Sequence, residues 1–275
     1  MAVRLISAFI GIALALVVLF LNKTFLFPLA IAGVIAIILT ELAQAVDGMK
    51  FRLAYVGMLL YGVVTPFLEF YGCQAYLTLA HFACLLLIFI ELIRNSQKFH
   101  VEQIAFMIMT TILVTKSLSL IIPIKNADEH GMLYVVLALC GAWIADSGAY
   151  FAGVTLGKHK LCPTISPKKT VEGFVGGLVA NAIVFALICL GYSIIVKYTG
   201  GAVEVNYFAA VILGAVCAVI SVLGDLCASV VKRQRGIKDY GSIMPGHGGM
   251  MDRFDSVLFV VPTMYVFLSL FSIFK

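Results

Sequence analysis

The sequence predicts an all-α polytopic membrane protein with about nine transmembrane helices, and three observations predict it. Across 275 residues the mean hydropathy is +1.08, with 62% hydrophobic and only 12% charged residues. A soluble globule of that composition would have too little polar surface to show to water. Apolar runs of about 17–25 residues recur, each long enough to cross a hydrocarbon core of roughly 30 Å. These runs lack the period-2 alternation of a barrel strand, and in lipid only helices and closed barrels satisfy their own backbone.

In chain order the expected spans are Leu5–Leu21, Phe25–Thr40, Leu53–Phe70, Gln74–Leu92, Val101–Pro123, Met132–Gly153, Gly173–Val196, Tyr207–Leu226 and Ser256–Phe274. The first resembles a signal peptide, with Arg4 ahead of an apolar stretch, but no small-x-small cleavage site follows it, so it is read as a retained span. Most connections are short and no internal repeat is evident. Residues 1–275 are read as one integral membrane domain, with N-terminal membrane helices over 1–130 and the site-bearing helices and loops over 131–275. The seven cysteines form no C-x-x-C pair and lie mostly inside apolar runs, where they act as small hydrophobes.

Orientation follows from the cations. The side of the N-terminus and the even-numbered connections holds 14 Lys and Arg: Arg4, Lys50, Arg52, Arg94, Lys98, Lys158, Lys160, Lys168, Lys169, Lys232, Arg233, Arg235, Lys238 and Arg253. The other side holds 4, Lys23, Lys125, Lys197 and Lys275, with Lys116 left inside a span. The positive-inside rule makes the first side cytoplasmic, so the N-terminus is expected there and the C-terminus opposite. The net charge of +5 then describes loops and carries no signal for nucleic acid.

The stretch Gly224–Ser256 interleaves Asp225, Asp239, Asp252 and Asp255 with Lys232, Arg233, Arg235, Lys238 and Arg253. A strip that only gripped anionic lipid heads would work better without carboxylates, whereas a site for a metal and a polyphosphate needs both signs. Asp146 and Asp225 fall inside expected spans, where a carboxylate is costly and marks a polar interior. Lys116 has an ordinary explanation in snorkelling or a lipid phosphate. Asp225, Ser229 and Lys232 are spaced i, i+4, i+7, one helix stripe. Asp252 and Asp255 are spaced i, i+3 around a helix start, where a plain cap is the competing explanation. Together the three aspartates suit Mg²⁺, which binds through one or two carboxylates plus substrate phosphates.

Pro245-Gly246-His247-Gly248-Gly249 is a turn whose glycines can take positive φ and bring backbone N–H groups close to an anion. His247 either adds a hydrogen bond or a proton there, or is structural. Gly153-x-x-x-Gly157-Lys158-His159 is one residue short of a Walker A loop and has His where Ser or Thr should stand, so a P-loop is excluded. Lys168 and Lys169, with the Ser166 and Thr170 hydroxyls, are either phosphate contacts or a positive-inside flank. Gly173-x-x-x-Gly177 reads as a close-packing motif.

These residues resemble the phosphatidate cytidylyltransferases, or CDP-diacylglycerol synthases, whose signature is S-x-x-K-R-x-x-x-x-K-D-x-x-x-x-x-P-x-H-G-G-x-x-D-R-x-D. Here it falls without a gap on Ser229, Lys232, Arg233, Lys238, Asp239, Pro245, His247, Gly248, Gly249, Asp252, Arg253 and Asp255. The Asp146–Tyr150 and Ser166–Thr170 blocks match in the same way, and the likeness is specific over about Trp143–Ser256. Ala228 departs from an expected acidic residue and Val171 from a common tryptophan.

The resemblance implies a magnesium-dependent enzyme of phospholipid synthesis, taking CTP and phosphatidate at the cytoplasmic face of the plasma membrane. It implies Asp225, Asp252 and Asp255 as metal ligands for one or two cations. Lys232, Arg233, Lys238, Asp239 and His247 are implied as catalytic. Asp146, Ser166, Lys168, Lys169, Thr170, Ser229, Gly248, Gly249 and Arg253 are implied to hold the nucleotide and lipid phosphates. The partners it implies are CTP, phosphatidate and membrane lipid, with a homodimer among the assemblies it allows. Two other classes compete. A CTP-dependent lipid kinase would release CDP instead of pyrophosphate, and a transporter would carry its polar groups near mid-membrane with repeat symmetry.

Overall fold

A computed structural model describes residues 2–243 and 248–274. His247, Pro245 and Gly246 lie outside the described residues, as does Lys275. Among the described residues eight helices are long and apolar enough to cross a membrane, and the 19-residue helix α1 (Ala2–Phe20) occupies the place of the first expected span. Their outward faces are apolar. Leu79, Phe82, Leu86, Phe89 and Ile93 of α4 (Gln74–Arg94) are all exposed at helical spacing. A stripe of Val175, Val179, Ile183, Leu187, Leu190 and Ile194 does the same on α8 (Val171–Tyr198). Continuous exposed apolar stripes of this kind are what a lipid solvent permits and water does not.

The chain divides into two compact units, residues 1–123 with 234–254, and residues 124–233 with 255–275. The sequence placed one subdivision near residue 130; it did not anticipate that 234–254 returns to the first unit.

The first unit contains α1, α2 (Leu26–Ala45), a 3₁₀ turn at Gly48–Lys50, α3 (Arg52–Phe70), α4, α5 (Val101–Ser119), the start of α6 (Ile121–Lys125) and α10 (Met251–Phe254). Its core includes Phe27, Ile35, Ile38, Leu39, Met58, Ile88 and Met107. α2 and α3 meet at Gly62, where an added Cβ would stand 2.7 Å from Leu39 Cδ1. Glu91, at the end of the fourth expected span, is buried and accepts the Leu53 N–H at 2.8 Å, capping α3. α2 runs five residues past the expected end at Thr40, which places Glu41 inside the helix. The fifth span is interrupted at Leu120, so that α5 and α6 share it.

The second unit contains the end of α6, α7 (Gly131–Leu156), strands β1 (Lys160–Cys162) and β2 (Ser166–Thr170), α8, α9 (Tyr207–Gln234, whose last residue falls in the first unit) and α11 (Val257–Leu270). α7 and α8 pack along a seam of small residues. A Cβ on Gly173 would lie 2.7 Å from Ala149 O, and one on Gly177 2.6 Å from Ala145 O. The motif read at Gly173 and Gly177 is therefore a close backbone approach. Asn181, fully buried, donates to Gly141 O at 3.1 Å and Gly214 O at 2.8 Å, tying α7, α8 and α9 together.

Two features here differ from expectation. The segment read as a loop after the sixth span is an antiparallel hairpin, with Lys160 paired to Thr170 and Cys162 to Ser166. Glu172 holds it by accepting from Lys158 N at 3.0 Å and His159 N at 3.1 Å, so the N–H groups of the rejected P-loop serve the chain's own carboxylate. α9 continues eight residues beyond Leu226, because Ser229, Lys232 and Arg233 extend the helix past its apolar part and the two cations suit its C-terminal dipole.

We expect Gly177→Val to destabilise the protein by about 1–3 kcal/mol or more, as overpacking does. Gly191, whose added Cβ would meet nothing within 4 Å, should accept Ala neutrally or with a gain of about 0.5–1 kcal/mol. Thermal unfolding of the purified protein in detergent compares the two.

Candidate functional site

In the second unit Asp146, Asp225, Asp255, Lys169 and Lys232, all singled out from the sequence, come together. Lys169 Nζ stands 2.6 Å from Asp225 Oδ2, both groups about a quarter exposed. On β2 Lys168 is exposed to solvent, Lys169 is half-buried with its ammonium on Asp225, and Thr170 is buried. Thr170 then caps α8, its Oγ1 accepting the Gly173 N–H at 3.1 Å. The tip of the hairpin is held by the Arg233 guanidinium, which donates to Ile165 O at 3.5 Å. Ser166 is half-buried on the same strand.

On α9 the i, i+4 stripe forms as read, with Ser229 Oγ donating to Asp225 Oδ1 at 3.4 Å. Asp255 is 6% exposed and accepts the Ser256 N–H at 2.7 Å. Asp225, Asp146 and Lys232 all lie close enough to act on its charge. Asp146 in α7 accepts from Ser256 Oγ at 3.4 Å, and the same hydroxyl lies 3.1 Å from Ser221 O of α9. Ser256 thus links three helices; the sequence marked it only as a boundary. Gly224 makes room for this meeting, since a Cβ there would stand 2.7 Å from Asp255 O. Ala228, the departure from the acidic residue, is buried, and Val171 is exposed.

The first unit carries the glycine turn. Gly248 has φ +86°, the left-handed conformation anticipated for it. A Cβ there would lie 3.1 Å from Asp252 Oδ2 and 3.4 Å from Asp239 Oδ1, so two aspartates flank it. Asp252 Oδ2 accepts the N–H groups of Tyr240 at 2.9 Å and Gly249 at 3.0 Å, closing the loop ahead of α10. Lys238, Asp239 and Arg253 are exposed. The sequence missed Glu41, which is 5% exposed and accepts from Met250 N at 2.9 Å and Met251 N at 2.7 Å. The usable signal was a carboxylate within one helical turn of an apolar run.

Among the described residues no group of three or more His, Cys, Asp or Glu forms a ready metal cage. The donor set still fits a hard cation: Asp225, Asp255 and Asp146 are oxygen donors of one sign, crowded beside the partial compensation of Lys169 and Lys232. Magnesium needs no complete protein cage, because water and phosphate oxygens fill its sphere.

A model described as the cytidylyltransferase family matches residues 2–271. A phosphatidate cytidylyltransferase of Bacillus subtilis (strain 168) is 41% identical over 195 residues, which are 70% of this chain and 68% of that protein. Phosphatidate cytidylyltransferases of Staphylococcus saprophyticus and Staphylococcus haemolyticus are 43% and 41% identical over 140 residues. There the match covers 51% of this chain and 50% of each relative, so it spans about half their length.

The geometry separates the two neighbouring lysines. Lys169→Met should cost about 1–3 kcal/mol, between the surface and buried limits for breaking an ion pair. Lys168→Met should stay within about 0.5 kcal/mol, as surface changes do. Melting curves of the two variants in one detergent test this.

Proposed function

Because the chain belongs to the cytidylyltransferase family, we propose that it transfers a cytidylyl group from CTP to phosphatidate, giving CDP-diacylglycerol and pyrophosphate. The observation that carries the reading is the Lys169–Asp225 pair standing in the same unit as buried Asp255, with Asp146 and Lys232 within electrostatic reach of that carboxylate. Carboxylates and cations held together suit a reaction in which phosphate charge must be gathered, aligned and redistributed.

An oxygen of the phosphatidate phosphate attacks the α-phosphorus of CTP, and the bond from that phosphorus to the bridging oxygen of the β-phosphate breaks. The electron pair leaves on pyrophosphate. Phosphatidate is largely dianionic at neutral pH and is its own nucleophile, so alignment and charge neutralisation matter more than a strong base. Asp225 and Asp255 would hold Mg²⁺, and Asp252 is the further ligand that the resemblance implies. When bound, the ion would neutralise phosphate charge and so stabilise the leaving pyrophosphate.

The chain's own cations do the rest. Lys169 holds Asp225 ready and can turn to a phosphate; Lys232, Arg233, Lys238, Lys168 and Arg253 cover remaining charge. Asp146 and Ser229 orient the group around Asp225 and Asp255, while Ser166 and Thr170 shape the strand that presents Lys169. Gly248 and Gly249 set the loop that carries Asp239 and Asp252, and His247 is retained from the signature as a catalytic residue. The site faces the cytoplasm, where CTP is available, in the plasma membrane; the acyl chains stay in the bilayer.

Purified protein given radiolabelled CTP and phosphatidate should form CDP-diacylglycerol and pyrophosphate with Mg²⁺ and lose that activity in EDTA. Release of CDP in place of pyrophosphate would assign a lipid kinase, and full turnover without metal would remove the ion from the mechanism. Asp255→Asn should lower turnover by at least about tenfold, equivalent to about 1.36 kcal/mol of barrier, while Lys116→Met should cost far less. Wild-type turnover in the Asn variant would take Asp255 out of the metal set.

A further inference from the structure

We propose that Glu41 is a positioning residue for this reaction: its buried carboxylate, reaching from α2, fixes the loop segment that carries Gly249 and Asp252. The inference rests on the cytidylyl-transfer reading, and it extends the functional residues far outside the stretch that carries the signature.

Three observations support it. First, the two carboxylate oxygens are divided between consecutive amides, Oε1 taking Met250 N at 2.9 Å and Oε2 taking Met251 N at 2.7 Å. Charge-assisted bonds of this kind are about twice as strong as neutral ones. Second, Gly241 and Gly249 both lie against the carboxylate: a Cβ on Gly249 would stand 2.7 Å from each oxygen, and one on Gly241 would collide with Oε1. Only residues without a side chain allow that approach, so the carboxylate and the glycines are fitted to one another.

Third, Glu41 and Asp252 form one network. Gly249 presses on Glu41 while its N–H donates to Asp252 Oδ2, which also accepts Tyr240 N. Asp252 is near enough for the two negative charges to act on each other. A buried acid placed beside another acid is a poor choice for holding a loop alone, because like charges and desolvation both oppose it. Its two divergent acceptors nevertheless set the orientation of the 249–251 backbone in a way one amide oxygen cannot. Displacing that backbone by about 1 Å would move Asp252 with it, and misplacement on that scale costs roughly a hundredfold in rate.

The test compares wild-type protein with Glu41→Gln, which keeps the size but turns an N–H₂ toward one of the two amides. Two readouts are needed. Trypsin cleavage after exposed Lys238, followed by mass spectrometry, reports whether the segment is held; we expect at least about fivefold faster nicking in the variant. Steady-state kinetics, normalised to folded protein, report positioning; we expect kcat to fall at least about tenfold while KM for CTP and for phosphatidate changes less than about threefold. Glu41→Ala combined with Gly249→Ala should be less damaging than the two single losses predict, because truncation frees the space the added methyl needs.

Unchanged nicking would overturn the anchoring. Faster nicking with unchanged kcat per folded molecule would overturn the positioning role and leave Glu41 purely structural. Wild-type protein without cytidylyl transfer would instead overturn the reaction itself, and with it any positioning role in that reaction.

Discussion

A carboxylate carried on an apolar helix has to be met by fixed donors, because lipid supplies none and desolvation alone would neutralise it. Much of the local structure answers that requirement. Glu41 is met by the amides that open α10, Glu91 by the amide that opens α3, Asp225 by Lys169, and Asp255 by the amide of Ser256. Helix starts recur in this set because their first N–H groups have no partner within the helix and carry the positive end of its dipole. The acids and helix termini are therefore matched, and the positions of the acids dictate where helices can begin.

Close approach of backbones is the second requirement, and glycine supplies it in both units. Gly173 and Gly177 let α8 lie against α7, which carries Asp146; Gly224 lets the start of α11 reach α9 beside Asp225; Gly241 and Gly249 close on Glu41. By sequence alone, the glycines after Pro245 are suited to opening N–H groups toward an anion. Among the described residues, the groups following Gly248 do meet anions, and these are the chain's own Asp252 and Glu41. Gly248 takes the positive φ expected of it, while the anion that meets the amides of Met250 and Met251 is supplied by a helix more than 200 positions away.

The resemblance is specific over about Trp143–Ser256 and the family match extends over residues 2–271, yet the geometry adds distinctions that a signature does not contain. Lys168 and Lys169 are adjacent and chemically equal, and a strand, unseen in the sequence, turns one to solvent and the other to Asp225. Ser256 joins α7, α9 and the start of α11 through a single hydroxyl. Neither role has a composition cue, since a serine at a helix boundary is ordinary and a five-residue strand containing Pro167 has weak β-propensity.

What the sequence determined by itself was whatever depends on solvent and period. Mean hydropathy fixed the lipid environment, runs of about 20 residues fixed the helices, and i, i+4 spacing fixed the Asp225–Ser229 pairing. These are local properties of a regular helix, so they survive without knowledge of neighbours. Only the tertiary structure decided which acids meet which donors, which lysine of a pair turns inward, and that Glu41, carried at the end of an otherwise apolar helix, closes around a glycine segment near the other end of the chain. Those outcomes rest on contacts between segments tens to hundreds of residues apart, where a difference of one ångström or one strand register changes the partner, and no local pattern encodes that distance.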